Sequence, residues 1–458
     1  MRPIRLFFFL ALLSISYISY AGGPQLIGMT SSGGINGGGS IIRYTGGDTS
    51  INMHYNLATN ANPGGSFIQA SNGLMYGMTS SYGTSSFGTL FEYNYVADTF
   101  ILLVNFDSIS GGQPNGSLSQ ASDGKLYGLT YIGGSKNGGT LFSYTIGTNS
   151  VTVLQNLSAT AQPLGSVIQS SNGKIYGLTR GDGTNNSGTI FEYDIFSNIF
   201  SLKYNLPPNA LPAGSLLEAG VDTLYGMTYY DGLDSGGTLF RYLPNTNAYD
   251  TLFSFHHNSF PNGSLMRASD GKLYGMLSDV AGNNNGNLFS YDILSGIYTD
   301  IYDCSDPIQG KNPEGILFQA NDSLLYGMTI YGGTNGYGTI FRYDIPTSLY
   351  TKEVDLNNTT GDYPRGGSFI EYNPYLGTGI TTIPESNIKI YGKTGVIAIE
   401  GPDNSPATVI VTNILGQQVV NTTTNSTSVT LPISTTDAIY IVQVIQGSNQ
   451  TIKKVFVR

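Results

Sequence analysis

Three histidines, His54, His256 and His257, and one cysteine, Cys304, are the obvious reactive side chains of this 458-residue chain. None of the histidines stands in a His-x-His or His-Glu-x-x-His spacing, so no metal site and no cofactor is expected. Asp231-Gly232-Leu233-Asp234 lacks the alternating acidic spacing of a calcium loop and reads as a solvated turn. No Gly-x-Ser-x-Gly elbow between a strand and a helix is found. What remains is a set of polar and aromatic residues: Tyr82, Tyr131, Arg180 with Asp182, Tyr229 with Tyr230 and Asp231, Asp279, and Tyr331. Tyrosine rings stack on the apolar faces of sugars, and hydroxyl, guanidinium and carboxylate groups bond the polar edges. Candidate ligand-binding residues are therefore Tyr82, Tyr131, Arg180, Tyr230, Asp231 and Tyr331. Glycosidase chemistry would need two carboxyls roughly 5 to 9.5 Å apart, and no sequence spacing identifies such a pair.

These residues share one place in a repeating frame. Gly65-Ser66-Phe67-Ile68-Gln69-Ala70-Ser71-Asn72-Gly73-Leu74-Met75-Tyr76-Gly77-Met78-Thr79 returns in close copies centred on Tyr127, Tyr176, Tyr225, Tyr274 and Tyr326, and a partial copy surrounds Ile27. Successive anchors lie 49, 51, 49, 49, 49 and 52 residues apart, a period of solenoids, propellers or arrays. Each copy reads as four strands. A Gly-Ser strand meets a Leu-Tyr-Gly strand through an Asn-Gly or Asp-Gly turn whose two residues are expected to take positive φ. A Gly-rich loop then leads to a Phe-x-Tyr strand and a final strand. The distance from anchor to third-strand residue is 15 in all seven copies, from Ile27–Ile42 and Tyr76–Phe91 to Tyr326–Phe341. The intervening loop, which carries the candidate residues, is thus held at constant length. Recurring Tyr and Phe are expected in the core, and the Gly after each Tyr is expected to let neighbouring backbones approach.

The first copy has no Gly-Ser strand before Leu26, whereas Gly366-Gly367-Ser368-Phe369-Ile370-Glu371 follows the last copy in the phase of a first strand. Pairing the two ends removes both open sheet edges. The prediction is an all-β chain with almost no helix: a seven-bladed β-propeller over 22–373 closed by a C-terminal strand, a linker at 374–386, and a small Ig-like β-sandwich over 387–458.

In the order of its strands and turns the repeat resembles a kelch blade, without the double Gly after Tyr or the strand-four Trp. Asp123-Gly-Lys-Leu-Tyr-Gly-Leu-Thr130, followed by Gly138-Gly-Thr-Leu-Phe-Ser-Tyr144, is more closely similar to the GloVer tandem repeat of exported bacterial proteins. That resemblance implies a propeller and export, and brings no activity with it. The C-terminal stretches Val411–Val420, Ala438–Val444 and Lys453–Arg458 resemble the type A sorting domain of the type IX secretion system of Bacteroidetes, departing from it at Asp437-Ala438. This implies passage to the outer-membrane surface, or secretion, with the type IX machinery as partner.

The first 21 residues agree with export. Arg2 and Arg5 precede an apolar run at Leu6–Leu13 and a small-x-small site at Ser19-Tyr20-Ala21, the pattern of a signal peptide. One cysteine allows no internal disulfide, and Cys304 is expected to be a buried filler. A net charge of -10 argues against nucleic acid. A monomer is expected. Three functions stay open: a surface module binding a polysaccharide or protein, a polysaccharide lyase or hydrolase at the propeller mouth, and a structural surface role. The first is preferred because deviations from the repeat are scattered rather than gathered into an acid pair.

Overall fold

A computed structural model describes residues 23–279 and 285–373 and, C-terminal to these, 389–393, 395–400, 407–413, 418–433, 438–446 and 449–457. The proposed signal peptide and the 374–386 linker lie outside the described residues. Contacts divide the chain into two units meeting at Leu376/Gly377. All regular structure in the described residues is strand.

The first unit holds seven antiparallel sheets in succession. The copy anchored at Tyr176 shows the plan: strands Ile168–Gln169, Ile175–Thr179, Thr189–Asp194 and Ile199–Asn205 pair in meander order. The second and third strands are buried along nearly their whole length, while the fourth is part exposed. A register shift before the third-strand aromatic, between Ile190 and Phe191 here, recurs in six sheets and before Ile42 in the first. Such bulges increase the twist of the outer strand. The first sheet is completed from the far end of the unit, where Leu26 pairs with Glu371 and Ile27 with Ile370.

The innermost strands are shorter than the Gly-Ser pattern suggested, two ladder residues in most sheets, because the Gly-Ser segment bonds sideways. Ser66 N donates to Ser117 Oγ, Ser117 N to Ser166 Oγ and Ser166 N to Ser215 Oγ, each at 2.7 Å, and Ser215 N donates to Ser264 Oγ at 2.8 Å. Ser264 N then reaches Gly315 O, and Ile316 N reaches Gly367 O. Ser368 N donates back to Ser66 Oγ at 2.6 Å. The seven sheets are therefore joined in a closed cycle of hydrogen bonds.

Two expectations about glycine are corrected. A Cβ on Gly177 would lie 2.4 Å from the Phe191 ring, and Gly77, Gly128, Gly226, Gly275 and Gly327 face their own third-strand Phe in the same way. The Gly after Tyr thus makes room for an aromatic ring, and it is the Gly before Ser that lies against a neighbouring backbone: a Cβ on Gly165 would stand 2.2 Å from Gly214 O. In the hairpin turns, Gly73, Gly124, Gly173 and Gly271 have positive φ whereas the preceding Asn or Asp does not. With Gly73 N bonded to Ala70 O at 2.8 Å and Ala70 N to Leu74 O at 2.9 Å, this is the three-residue loop closed by a left-handed Gly rather than the two-residue turn.

Packing lies between sheets. Tyr76, Leu90 and Phe106 of one copy pack with Leu126, Phe142 and Tyr144 of the next. The buried anchor hydroxyls find acceptors, as Tyr76 with Glu92 at 2.9 Å and Tyr176 with Glu192 at 2.6 Å, which satisfies polar groups that would otherwise be costly to bury. Cys304 is fully buried in such a cluster, and burial pushes its thiol up to about 12.

In the second unit, Lys389–Lys393, Val396–Glu400 and Ser428–Pro432 form one antiparallel sheet, and Gln418–Thr424, Ala407–Asn413, Ala438–Gln446 and Asn449–Val457 form another. Alternate residues, among them Ile397, Ile399, Val409, Val411, Val442 and Val444, share one apolar cluster.

Candidate functional site

The constant-length loop is built by its own hydrogen bonds. Thr79 Oγ1 donates to Ser81 O at 2.7 Å and lies 2.8 Å from Thr89 Oγ1 across the strand pair, while Asn105 Oδ1 accepts from Thr84 N at 3.0 Å. Equivalent Thr pairs occur at 130/140, 179/189, 228/238 and 329/339. One residue more or fewer would break this set, so the length is a structural requirement.

Beside each loop runs the connection from the preceding sheet's fourth strand. Ser80 N bonds Asn62 O at 3.1 Å, Tyr131 N bonds Gln113 O at 3.3 Å, and Ser278 N bonds Phe260 O at 3.3 Å. In every copy the connection contains a non-glycine residue with φ between 40° and 53°: Asn62, Gln113, Gln162, Leu211, Phe260, Asn312 and Tyr363. Each precedes a proline, where left-handed backbone is unfavourable and must be imposed by its surroundings. Seven non-repeating side chains are thereby fixed on a repeating backbone, next to seven loops that also vary. This ring of connections and loops is called the mouth below.

The structure places the sequence candidates at unequal positions in the loop. Tyr131 and Arg180 follow the strand-two Thr directly, Tyr230 and Tyr331 come two residues after it, and Tyr82 comes three after it with φ at 80°. Tyr82, Tyr230 and Tyr331 are about two-fifths exposed, at 40%, 39% and 43%. Two aromatic groups form. Tyr229 stacks on Phe260 at 5.2 Å, Tyr230 stands edge-on to Tyr229 at 4.4 Å, and the Arg180 guanidinium lies 5.5 Å from the Tyr229 ring. In the second group, Tyr331 and Tyr337 each meet Tyr363 edge-on. Among the described residues no ring contact joins Tyr82 or Tyr131 to either group; the Tyr131 hydroxyl reaches Gln162 Oε1 at 3.4 Å.

Asp231 is buried, with its carboxylate accepting from Thr228 Oγ1. In other copies that hydroxyl donates to a loop carbonyl, as Thr179 Oγ1 does to Gly181 O. At the positions equivalent to Asp231, Gly33, Tyr82, Gly133, Asp182 and Gly332 have φ between 73° and 81°, and Asp231 does not. The Asp231 side chain therefore re-routes this one loop, next to Tyr230. Burial holds its carboxyl above the usual carboxylate range.

A second set of mouth residues lay outside the sequence candidates. The residue before the inner Gly is Gly64, Asn115, Leu164, Ala213, Asn262 or Glu314 in six successive copies. Asn262 Nδ2 donates to Glu314 Oε1 at 3.2 Å and to Ser278 Oγ at 3.3 Å. Asn312 Nδ2 donates to Ser278 O at 2.7 Å. Desolvation raises the Glu314 carboxyl above its ordinary range, against the opposing pull of Arg365 and of hydrogen bonds from Asn262 and Ser278. Tyr229 stacks on Phe260, whose carbonyl accepts from Ser278 N at 3.3 Å, and burial raises the Tyr229 phenol. A polar and aromatic sector thus runs from Arg180 through Tyr229, Phe260, Ser278 and Asn262 to Glu314. Tabulating the residue before the first-strand Gly of each copy would have exposed Glu314 as the one acidic member.

The histidines join no such group. His54 Nδ1 is 3.5 Å from Asp98 Oδ1, and a His257 ring nitrogen lies 2.9 Å from Asp234 O. Among the described residues no three His, Cys, Asp or Glu converge as a metal set.

The Gloeobacter/Verrucomicrobia repeat matches residues 18–208 and 202–387 of the chain. No curated protein matches it. The structure is similar to the periplasmic gluconolactonase PpgL of Pseudomonas aeruginosa, with 15% identity, TM-score 0.54, and coverage of 76% of this chain and 99% of that one. A putative 6-phosphogluconolactonase from Bacteroides fragilis is similar at 15% identity and TM-score 0.54, covering 76% and 98%. A protein from Lactobacillus plantarum is similar at 14% identity and TM-score 0.53, covering 76% and 100%. At these identities the likeness speaks for the fold, which is of β-propeller type.

Proposed function

The chain belongs to the Gloeobacter/Verrucomicrobia repeat family, and from that premise we propose that it is an exported, seven-bladed β-propeller that binds a glycan at its mouth. The observation that carries the reading is the contrast between frame and side chains. The seven connections repeat in backbone, yet the second aromatic group and the Arg180–Glu314 network both fall between the fourth sheet and the closing seam. Part-exposed aromatic rings beside planar polar groups suit a sugar, whose faces are apolar and whose edges are hydroxyl.

The blade number rests on the closed cycle of inner-strand hydrogen bonds and on the pairing of Ile27 with Ile370. For the second unit, delivery by the type IX route is the reading, supported by the motifs at Val411–Val420 and Ala438–Val444. Removing residues 438–458 should leave the protein in the periplasm; unaltered surface delivery would refute it. No helix of the described residues is long and apolar enough to cross a membrane.

The test is a combined binding and product screen of the purified protein on algal, plant and bacterial polysaccharides. Retention without new reducing or unsaturated ends supports the binding module, and Tyr131→Ala, Tyr230→Ala and Tyr331→Ala together should abolish it. Released oligosaccharides would favour a hydrolase or lyase, for which the desolvated Glu314 carboxyl is the specific supporting observation. Silence on every glycan would refute the glycan reading.

A further inference from the structure

The mouth is not equally equipped around its circumference. At the residue before the inner Gly, the copies offer Gly64, Leu164 and Ala213, which cannot hydrogen-bond through a side chain, Asn115 standing alone between two of these, and then Asn262 and Glu314 side by side. Glu314 is the one carboxylate at this position. Its Oε1 accepts from Asn262 Nδ2 at 3.2 Å, and the same amide nitrogen lies 3.3 Å from Ser278 Oγ. Ser278 is itself buried and bonded to Asn262 and Asn312. The Tyr229 ring, which meets Tyr230 edge-on, stacks on Phe260, and the Phe260 carbonyl accepts from Ser278 N at 3.3 Å, which places the aromatic surface beside this polar group.

We propose that Glu314, held by Asn262, is the hydrogen-bonding anchor of one sugar subsite, and that the Tyr229–Tyr230 surface beside it receives the face of the same sugar ring. This rests on the glycan-binding reading above and specifies where in the mouth, and which class of sugar. An ionised carboxylate accepts at about four lone-pair positions. Asn262 occupies one, which leaves room for a pair of adjacent hydroxyl donors. The donors required are hydroxyls, so the ligand class is a neutral glycan with vicinal hydroxyls. A uronate carboxylate has no hydrogen to give and would be repelled by Glu314. Arg180 lies on the Tyr229 ring rather than on Glu314, where it contributes a donor for the far edge of the sugar.

Affinity electrophoresis of the full-length protein through gels holding mannan, xylan, laminarin or polygalacturonate tests this. Wild-type protein should be retarded by at least one neutral polysaccharide and not by polygalacturonate. Glu314→Ala and Tyr229→Ala should each weaken that retardation about tenfold or more, as expected for losing a charged acceptor or a stacking face. Glu314→Gln, which keeps the shape and one acceptor, should fall between, and controls for misfolding when its melting temperature is unchanged. Leu294→Ala, in the exposed turn between strands Asn287–Asp292 and Ile297–Asp303 and outside the mouth, should stay within about twofold of wild type. Undiminished retardation of both Glu314 variants, with loss in Tyr82→Ala or Tyr131→Ala, would overturn the subsite and leave mouth binding standing. Retardation by polygalacturonate alone would overturn the neutral-sugar assignment. No retardation of the wild type by any polysaccharide would overturn both.

Discussion

Gly165→Ala gives the sharpest test of the inner ring. Gly165 has no left-handed φ, so on backbone grounds alone an alanine should stabilise the protein by about 0.4–1 kcal/mol through the unfolded chain. The tertiary structure reverses the sign. The new Cβ would stand 2.2 Å from Gly214 O and 2.6 Å from Gly214 C, atoms of backbone that cannot swing aside. The seam between the fourth and fifth sheets must open, at roughly 1–3 kcal/mol for overpacking. Opening it also stretches the 2.7 Å bond from Ser166 N to Ser215 Oγ, adding about 1–2 kcal/mol for a donor left unmade. The net is a destabilisation of about 2–4 kcal/mol. For the roughly 350 residues of the first unit, at about 2.1 cal/mol/K of unfolding entropy per residue, 3 kcal/mol corresponds to a melting-temperature drop of about 4 °C. Differential scanning calorimetry of the full chain reads this directly. Gly147→Ala is the control: its φ is 84° with nothing within 4 Å, so only backbone strain of about 1 kcal/mol is expected. A Gly165→Ala protein as stable as wild type, or more so, would refute the closed ring.

Asp231 supplies a pH signature. Its folded-state carboxyl titrates above the usual 3.8 because burial disfavours the charge. The folded state therefore keeps a proton that the unfolded state has lost, and stability falls as pH rises from about 3.8 through the folded value. Measured by urea denaturation, wild type should lose stability relative to Asp231→Asn across that window and run parallel to it at higher pH; a constant difference would refute the buried, ionisable role. Cys304, with its thiol pushed up to about 12 and no exposure, should resist a thiol-reactive dye in the native protein at pH 8 and react fully in denaturant. Rapid native labelling would mean that the sixth sheet opens.

The C-terminal strands centred on Val411 and Val442 were legible because one buried face imposes a two-residue alternation on the sequence. The candidate site was legible only in part. Tyr230, Arg180 and Tyr331 stand out in the sequence because they vary within a loop of constant length, but that fixed length comes from Thr and Asn hydrogen bonds such as Thr79 with Thr89 and Asn105 with Thr84. The left-handed residue before each mouth proline was missed, since local preference runs against it and only the neighbouring loop imposes it.

What the sequence determined by itself is the periodic part: a repeat of about 50 residues, its four strands, and the split first copy. Each of these follows from local pattern and chain order, which are written linearly. The tertiary structure alone decided which glycine faces a ring and which faces a backbone, because Gly177 and Gly165 differ only in what lies across from them. It alone buried Asp231 and drew Glu314 to Asn262, 52 residues away. Desolvation and hydrogen bonding depend on what surrounds a group in space, and in a cyclic repeat the nearest neighbours come from the next copy along the chain.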